Sequence, residues 1–145
     1  MKRLPDEFLF EAAAGILSQG RQVKLIVGGD SMWPFLHGGK DCVVLEPVKA
    51  EHLVRGAIVL FRYRGQYVLH RFIGKRGALF CFCGDGNYGS GELVSPDNIL
   101  GMLQRVEHPS GRITFCTSRQ WRILSEMWMR LHPVRKYIVK LFQRL

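Results

Sequence analysis

Ala57-Ile58-Val59-Leu60-Phe61-Arg62-Tyr63-Arg64-Gly65-Gln66-Tyr67-Val68-Leu69-His70-Arg71-Phe72-Ile73 is the stretch on which the fold turns. Two runs rich in β-branched and aromatic residues flank Arg64-Gly65, a turn signal, so the stretch reads as a β-hairpin. Further strands follow on the C-terminal side at Ala78 to Cys83, Ile99 to Glu107 and Arg112 to Thr117. Between them, Gly84 to Gly91 holds four glycines in eight residues and reads as a loop, and Gly111 turns the chain. On the N-terminal side Asp41 to Leu45 is a short apolar strand followed by Pro47. Gln22 to Val27 places Val23, Leu25 and Val27 on one side of another strand. Asp6 to Gln19 has helical spacing, with Phe8, Ala12 and Ile16 at i, i+4 and i+8, a capping Asp6 and a terminating Gly20. Short strands at close spacing with one leading helix predict a mainly β (α+β) fold in a single compact domain.

The last 28 residues differ in character. Trp121, Leu124, Trp128 and Leu131 follow helical spacing, and Pro133 interrupts it. Val134, Tyr137, Ile138, Leu141, Phe142 and Leu145 then mark an apolar face, with Arg135, Lys136, Lys140 and Arg144 largely opposite. This reads as a basic amphipathic C-terminal helix. From Ser118 onward the chain carries seven Arg or Lys against one acid, a net +6 of the formal +9, so the first 117 residues hold only +3. The expected division is a domain over 1–117 and a helical tail over 118–145. Two placements of that tail are open: docking on an anionic membrane surface, or packing on its own domain with its cations solvated.

The bulk numbers exclude several classes. A chain of 145 residues that is 47% hydrophobic has the material for one packed core, so disorder is not expected. The four cysteines, Cys42, Cys81, Cys83 and Cys116, fit no zinc spacing and read as reduced thiols of a cytoplasmic protein. Acids at Asp6, Glu7 and Glu11 interrupt what a signal peptide needs to be apolar, and no uncharged apolar run reaches about 18 residues. The expected location is the cytoplasm, free or peripheral to the membrane. No metal or cofactor is implied.

Two residues suggest chemistry. Ser31 lies in Gly28-Gly29-Asp30-Ser31-Met32-Trp33-Pro34, where glycines allow close backbone approach and an exposed hydroxyl sits near N–H groups able to hold an oxyanion. A serine hydroxyl needs a base to become a nucleophile, and His70, on a strand, offers an imidazole that titrates near neutral pH. Taken singly, each has an ordinary alternative: a turn serine, and a hydrogen-bonded sheet histidine.

Together with their surroundings they resemble a family. Gly29-Asp30-Ser31-Met32-Trp33-Pro34 resembles the G-x-S-M-x-P box of the signal-peptidase and LexA superfamily of serine peptidases. Gly39-Lys40-Asp41-Cys42-Val43-Val44 resembles its G-D-x-V-x-V box, stretched by Lys40. Arg55 to Phe61 resembles G-D-I-V-x-F, with Ala57 in place of the acid. Val68 to Gly74 resembles V-x-H-R-V-I-G, Gly84-Asp85-Gly86-Asn87 resembles G-D-N-N, and Ile99-Leu100-Gly101 resembles the closing strand. The likeness runs in order from about Val23 to Val106.

The resemblance implies a β-domain of signal-peptidase and LexA type. It implies a serine endopeptidase of the histidine branch, with Ser31 as nucleophile, His70 as general base and Asp85 as the acid orienting His70. Glu92 and Asp97 stand behind Asp85 for that last role. It places substrate and oxyanion contacts at Gly29, Ser31, Met32 and Pro34, and makes a peptide or protein, such as a leader or signal-like peptide, the partner. Lys75, five residues past His70, reads as a solvated charge. Two other functions compete: a peptidase fold without activity that binds a peptide or membrane surface, and a self-cleaving protein. Nucleic-acid binding is disfavoured because no helix-turn-helix region precedes the peptidase-like part.

Overall fold

The computed structural model describes residues 6–26, 32, 35, 36, 40–86 and 91–143, without the side chains of 6, 136, 139, 142 and 143. The elements are α1 (Asp6–Ser18), β1 (Val23–Ile26), β2 (Cys42–Pro47), β3 (Ile58–Tyr63), β4 (Gln66–Arg76), β5 (Leu79–Cys83), β6 (Glu92–Val94), β7 (Ile99–Glu107), β8 (Ile113–Phe115), α2 (Arg119–Arg130) and α3 (Arg135–Gln143). All eight strands join one antiparallel sheet in the order β1-β2-β7-β3-β4-β5-β6, with β8 also paired to β7. The fold is mainly β with flanking helices, as the strand spacing predicts.

The hairpin β3–β4 lies at the centre, in the register Ile58↔Arg71 through Tyr63↔Gln66. Its two-residue turn needs left-handed backbone at both positions, and Arg64 (φ 52°) and Gly65 (φ 78°) supply it. Strand β3 is apolar on both sides because both sides are covered. Ile58 and Leu60 face a cluster with Phe10, Ala13 and Leu17 of α1, Leu45, Leu69, Leu103, Val106 and Trp121. Val59 and Phe61 face a second, aromatic cluster with Phe72, Phe80, Phe82, Val94 and Ile99. Phe61 stacks on Phe82 with centroids 4.3 Å apart.

Most expected elements are present with ends shifted by a residue or two; β4 runs three residues beyond Ile73, past a register shift between Phe72 and Gly74. Strand β6 was not expected. It follows a glycine-rich stretch of sequence and has only three residues, too few for alternation to register in the sequence.

Part of the C-terminal segment packs on the domain, one of the two placements left open by the sequence. Ser118 caps α2 by accepting the Trp121 N–H, and Trp121 belongs to the first core cluster. Trp128 and Met129 are also buried. Helix α2 is therefore packed against the sheet through Trp121 and Trp128. The interruption expected at Pro133 falls in a 3₁₀ turn at His132–Val134, between α2 and α3. Arg135, expected among the solvated cations, is buried. Arg144 and Leu145, and the side chains of Lys136 and Phe142, lie outside the described residues. Among the described residues no helix is long and apolar enough to cross a membrane.

Candidate active site around His70

The alternation of β4 sends neighbouring side chains to opposite faces of the sheet. His70 pairs with Val59 and shares its face with Phe61 and Phe72, and its ring meets Phe61 edge-on at 6.2 Å. Phe72 pairs with Phe82, and Phe82 pairs with Glu92. That chain of pairings carries Glu92 onto the face of His70, where its Oε1 bonds His70 Nδ1. Gly91 makes this approach possible: its φ is +82°, and a Cβ there would overlap the carbonyl oxygen of Phe82. The His70 side chain keeps 11% of its surface accessible and the Glu92 side chain 12%, so the pair is sheltered but reachable. Nε2 of His70 meets no hydrogen-bonding partner among the described residues. A ring held at Nδ1 by a carboxylate presents Nε2 as a proton acceptor.

Arg71, one residue on, faces the other way. It is fully buried and forms a fork with Asp85, Nε to Oδ1 at 2.7 Å and Nη2 to Oδ2 at 2.6 Å, while Nη1 donates to the Gly56 carbonyl at 2.7 Å. Its guanidinium lies 4.6 Å from the Phe35 ring centroid. This corrects the assignment of Asp85 as the acid orienting His70. Asp85 lies on the Arg71 face, and its carboxylate is used by Arg71. Glu92, ranked behind it, is the acid in contact with His70. Asp97 is exposed on the 3₁₀ turn Pro96–Asn98. The sequence signal that points to Glu92 is the apolar pair Leu93-Val94 directly after it, which gives the acid a strand to sit on.

Asp85 instead gathers elements together. Its backbone N–H lies 3.5 Å from Met32 Sδ, and its carbonyl accepts the Trp128 indole N–H at 2.9 Å. Arg135 donates to the neighbouring Gly84 carbonyl at 3.4 Å and to the Trp128 carbonyl at 3.0 Å. Met32 is buried in the first core cluster. Ser31, Gly29 and Pro34 lie outside the described residues. Lys75 is exposed, with its ammonium 4.9 Å from the Phe80 ring centroid.

A second set of groups was not foreseen. His108 Nδ1 bonds Asp41 at 2.9 Å and His108 Nε2 bonds the Thr114 hydroxyl at 2.8 Å. His108 also closes the β7–β8 hairpin, its N–H donating to the Arg112 carbonyl at 2.9 Å. The set ties that hairpin to the residue preceding β2, and we read it as a clasp. A cavity of about 450 Å³ opens elsewhere, lined in part by Leu103, Cys116, Trp121, Ser125 and Met129, and His70 and Glu92 do not line it.

Cysteine nucleophiles are disfavoured by their surroundings. Burial pushes the Cys116 thiol up to about 12 and also raises Cys42, Cys81 and Cys83, so none is readily a thiolate at neutral pH. Among the described residues no group of three His, Cys, Asp or Glu is placed to hold a metal ion. No family model matches the chain, and no curated protein matches it either.

Proposed function

We propose that this chain is a serine endopeptidase in which Ser31 is the nucleophile, His70 the general base and Glu92 the carboxylate that orients it. The observation that carries the reading is His70 held through Nδ1 by Glu92 with Nε2 left to take a proton. A base needs a third group to fix its tautomer and steady the imidazolium that forms. A second observation supports it. Met32, bonded to Ser31, touches the Asp85 N–H, while Arg71, bonded to His70, grips the Asp85 carboxylate. The chain neighbours of the two reacting residues thus meet on one aspartate, although they are far apart in sequence. The resemblance of the Ser31 and His70 segments to the signal-peptidase and LexA superfamily points the same way.

The chemistry is acyl transfer to water. Ser31 Oγ attacks a peptide carbonyl as His70 Nε2 removes its proton, and the N–H of Ser31 helps hold the oxyanion. His70 returns the proton to the leaving amine, and water then releases the acyl group by the same steps. The substrate is an extended segment of a leader or signal-like peptide added along an open strand edge; β1 and β6 end the strand order.

Labelling with a fluorophosphonate tests this. Wild type is expected to take one label, lost in Ser31→Ala and strongly slowed in His70→Ala, with Thr114→Ala labelling like wild type. A folded wild-type chain that takes no label, or a label that survives Ser31→Ala, overturns the reading and favours an inactive module that binds peptide. Prolonged incubation adds the self-cleavage arm: a fragment present in wild type and absent in Ser31→Ala makes the chain its own substrate.

A further inference from the structure

Amphipathic helices that pack on a domain normally turn their apolar side inward and their cations outward. Helix α3 departs from this at Arg135, Tyr137 and Leu141. Arg135 is buried, with its guanidinium 5.2 Å from the Trp128 ring centroid and bonded to backbone carbonyls. Tyr137 and Leu141, one turn apart on the same side, are 64% and 62% exposed. Helix α2 has a similar second side. Trp121, Ser125 and Trp128 face the core at i, i+4 and i+7, while Ile123, Leu124 and Met127 project away from it, each more than half exposed. Val134, in the turn between the helices, is exposed too. So many large apolar side chains bared along one segment mark an interaction surface.

Charge selects the occupant. The segment from Ser118 carries +6. Arg119, Arg122 and Lys140 are exposed on these helices and form no ion pair with a described residue, whereas Arg130 is matched by Glu126. A second copy of the same face would bring like charges together. A nucleic acid would meet the cations and leave the apolar side chains uncovered. A bilayer with anionic headgroups matches both features, with apolar side chains entering the acyl boundary and cations held at the phosphates.

We propose that α2 and α3 form a docking surface for anionic lipid, leaving the chain peripheral to the membrane. The inference stands apart from the peptidase reading, because binding is measured without hydrolysis and Ser31→Ala is expected to bind like wild type. The test is co-sedimentation of the full chain with vesicles of phosphatidylcholine alone or mixed with phosphatidylglycerol. Wild type is expected to pellet with the mixed vesicles, far less with the neutral ones, and to be released by salt. The variant Leu124→Ser/Tyr137→Ser/Leu141→Ser, verified as folded by circular dichroism, is expected to stay in the supernatant. Arg122→Gln and Lys140→Gln are each expected to weaken partition about fivefold. Failure to pellet with mixed vesicles, equal pelleting with neutral ones, or unchanged binding by the triple variant overturns the proposal. So does a lipid-free dimer that the triple variant abolishes, which would assign the face to a second copy.

Discussion

Asp85, bonded to Arg71, and Glu92, bonded to His70, hold neighbouring residues of β4, and substitution separates what they do. Asp85 lies in a dry site against Arg71, where losing one partner leaves a buried charge uncompensated. Asp85→Asn is expected to cost about 3–5 kcal/mol in urea unfolding. Glu92→Gln keeps the shape of its site but no longer fixes the imidazole tautomer. Its unfolding midpoint is expected near that of wild type, while fluorophosphonate labelling slows by about 10²–10⁴-fold. If Asp85→Asn is as stable as wild type, or Glu92→Gln labels at the wild-type rate, the division of roles is wrong. The sequence alone favoured Asp85 because it sits in a motif-like Gly-Asp-Gly-Asn segment. Which face of the sheet an acid reaches depends on strand pairing, and the pairing that matters runs through β6.

At the level of elements, β6 depends on the residue before it. Gly91→Ala adds a Cβ against the Phe82 carbonyl at a backbone angle that side chains avoid. It is expected to cost about 1–3 kcal/mol and to slow labelling by drawing Glu92 away from His70. Labelling at the wild-type rate would show that β6 does not set the position of Glu92. Helix α2 has its own electrostatic tie. Glu126 accepts from Arg55 Nη1 at 2.5 and 2.7 Å and from Arg130 Nε at 3.1 Å. These bonds hold its carboxyl below the ordinary 4.5. The folded chain therefore takes up this proton less readily than the unfolded chain. The contribution is complete above pH 4.5 and fades as pH falls through the lowered folded value. Melting temperatures are expected to drop below pH 4.5 less steeply in Glu126→Gln than in wild type, and identical slopes would remove Glu126 from the acid response.

Much of this level was legible beforehand. The hairpin β3–β4 announced itself because both its strands are long and its turn carries a glycine. Helix α1 was legible from Phe8, Ala12 and Ile16 with Leu9 and Ala13 beside them; Ala13 does enter the core, but with Phe10 and Leu17, while Phe8 is exposed. Periodicity reveals a helix more securely than it reveals which side is buried. The same limit applies to α3, where spacing marked an apolar stripe but left open which way it faces; Tyr137 and Leu141 face outward. Arg135 is buried against the Gly84 and Trp128 carbonyls and the Trp128 ring, and those contacts come from the end of β5 and from α2, which local spacing does not encode.

For the whole molecule, Trp128 is one of the residues that tie α2 to the domain, and it is where the tie can be tested experimentally. Trp128→Phe keeps most of the buried ring but deletes the indole N–H that bonds the Asp85 carbonyl. It is expected to cost about 1–3 kcal/mol, because a buried acceptor loses its partner. It is also expected to make the chain around Met32 more susceptible to limited proteolysis. An unchanged cleavage pattern would mean that the two regions are held independently.

The arrangement at Asp85 has a mechanical consequence. Three grips on one residue, from Arg71, Met32 and Trp128, connect the strand of His70, the segment that continues from Ser31 and a helix whose far side is bare. The bare side of α2 therefore has its opposite side fastened to the strand of His70 through Asp85, with Phe35 against Trp121 and Trp128 alongside.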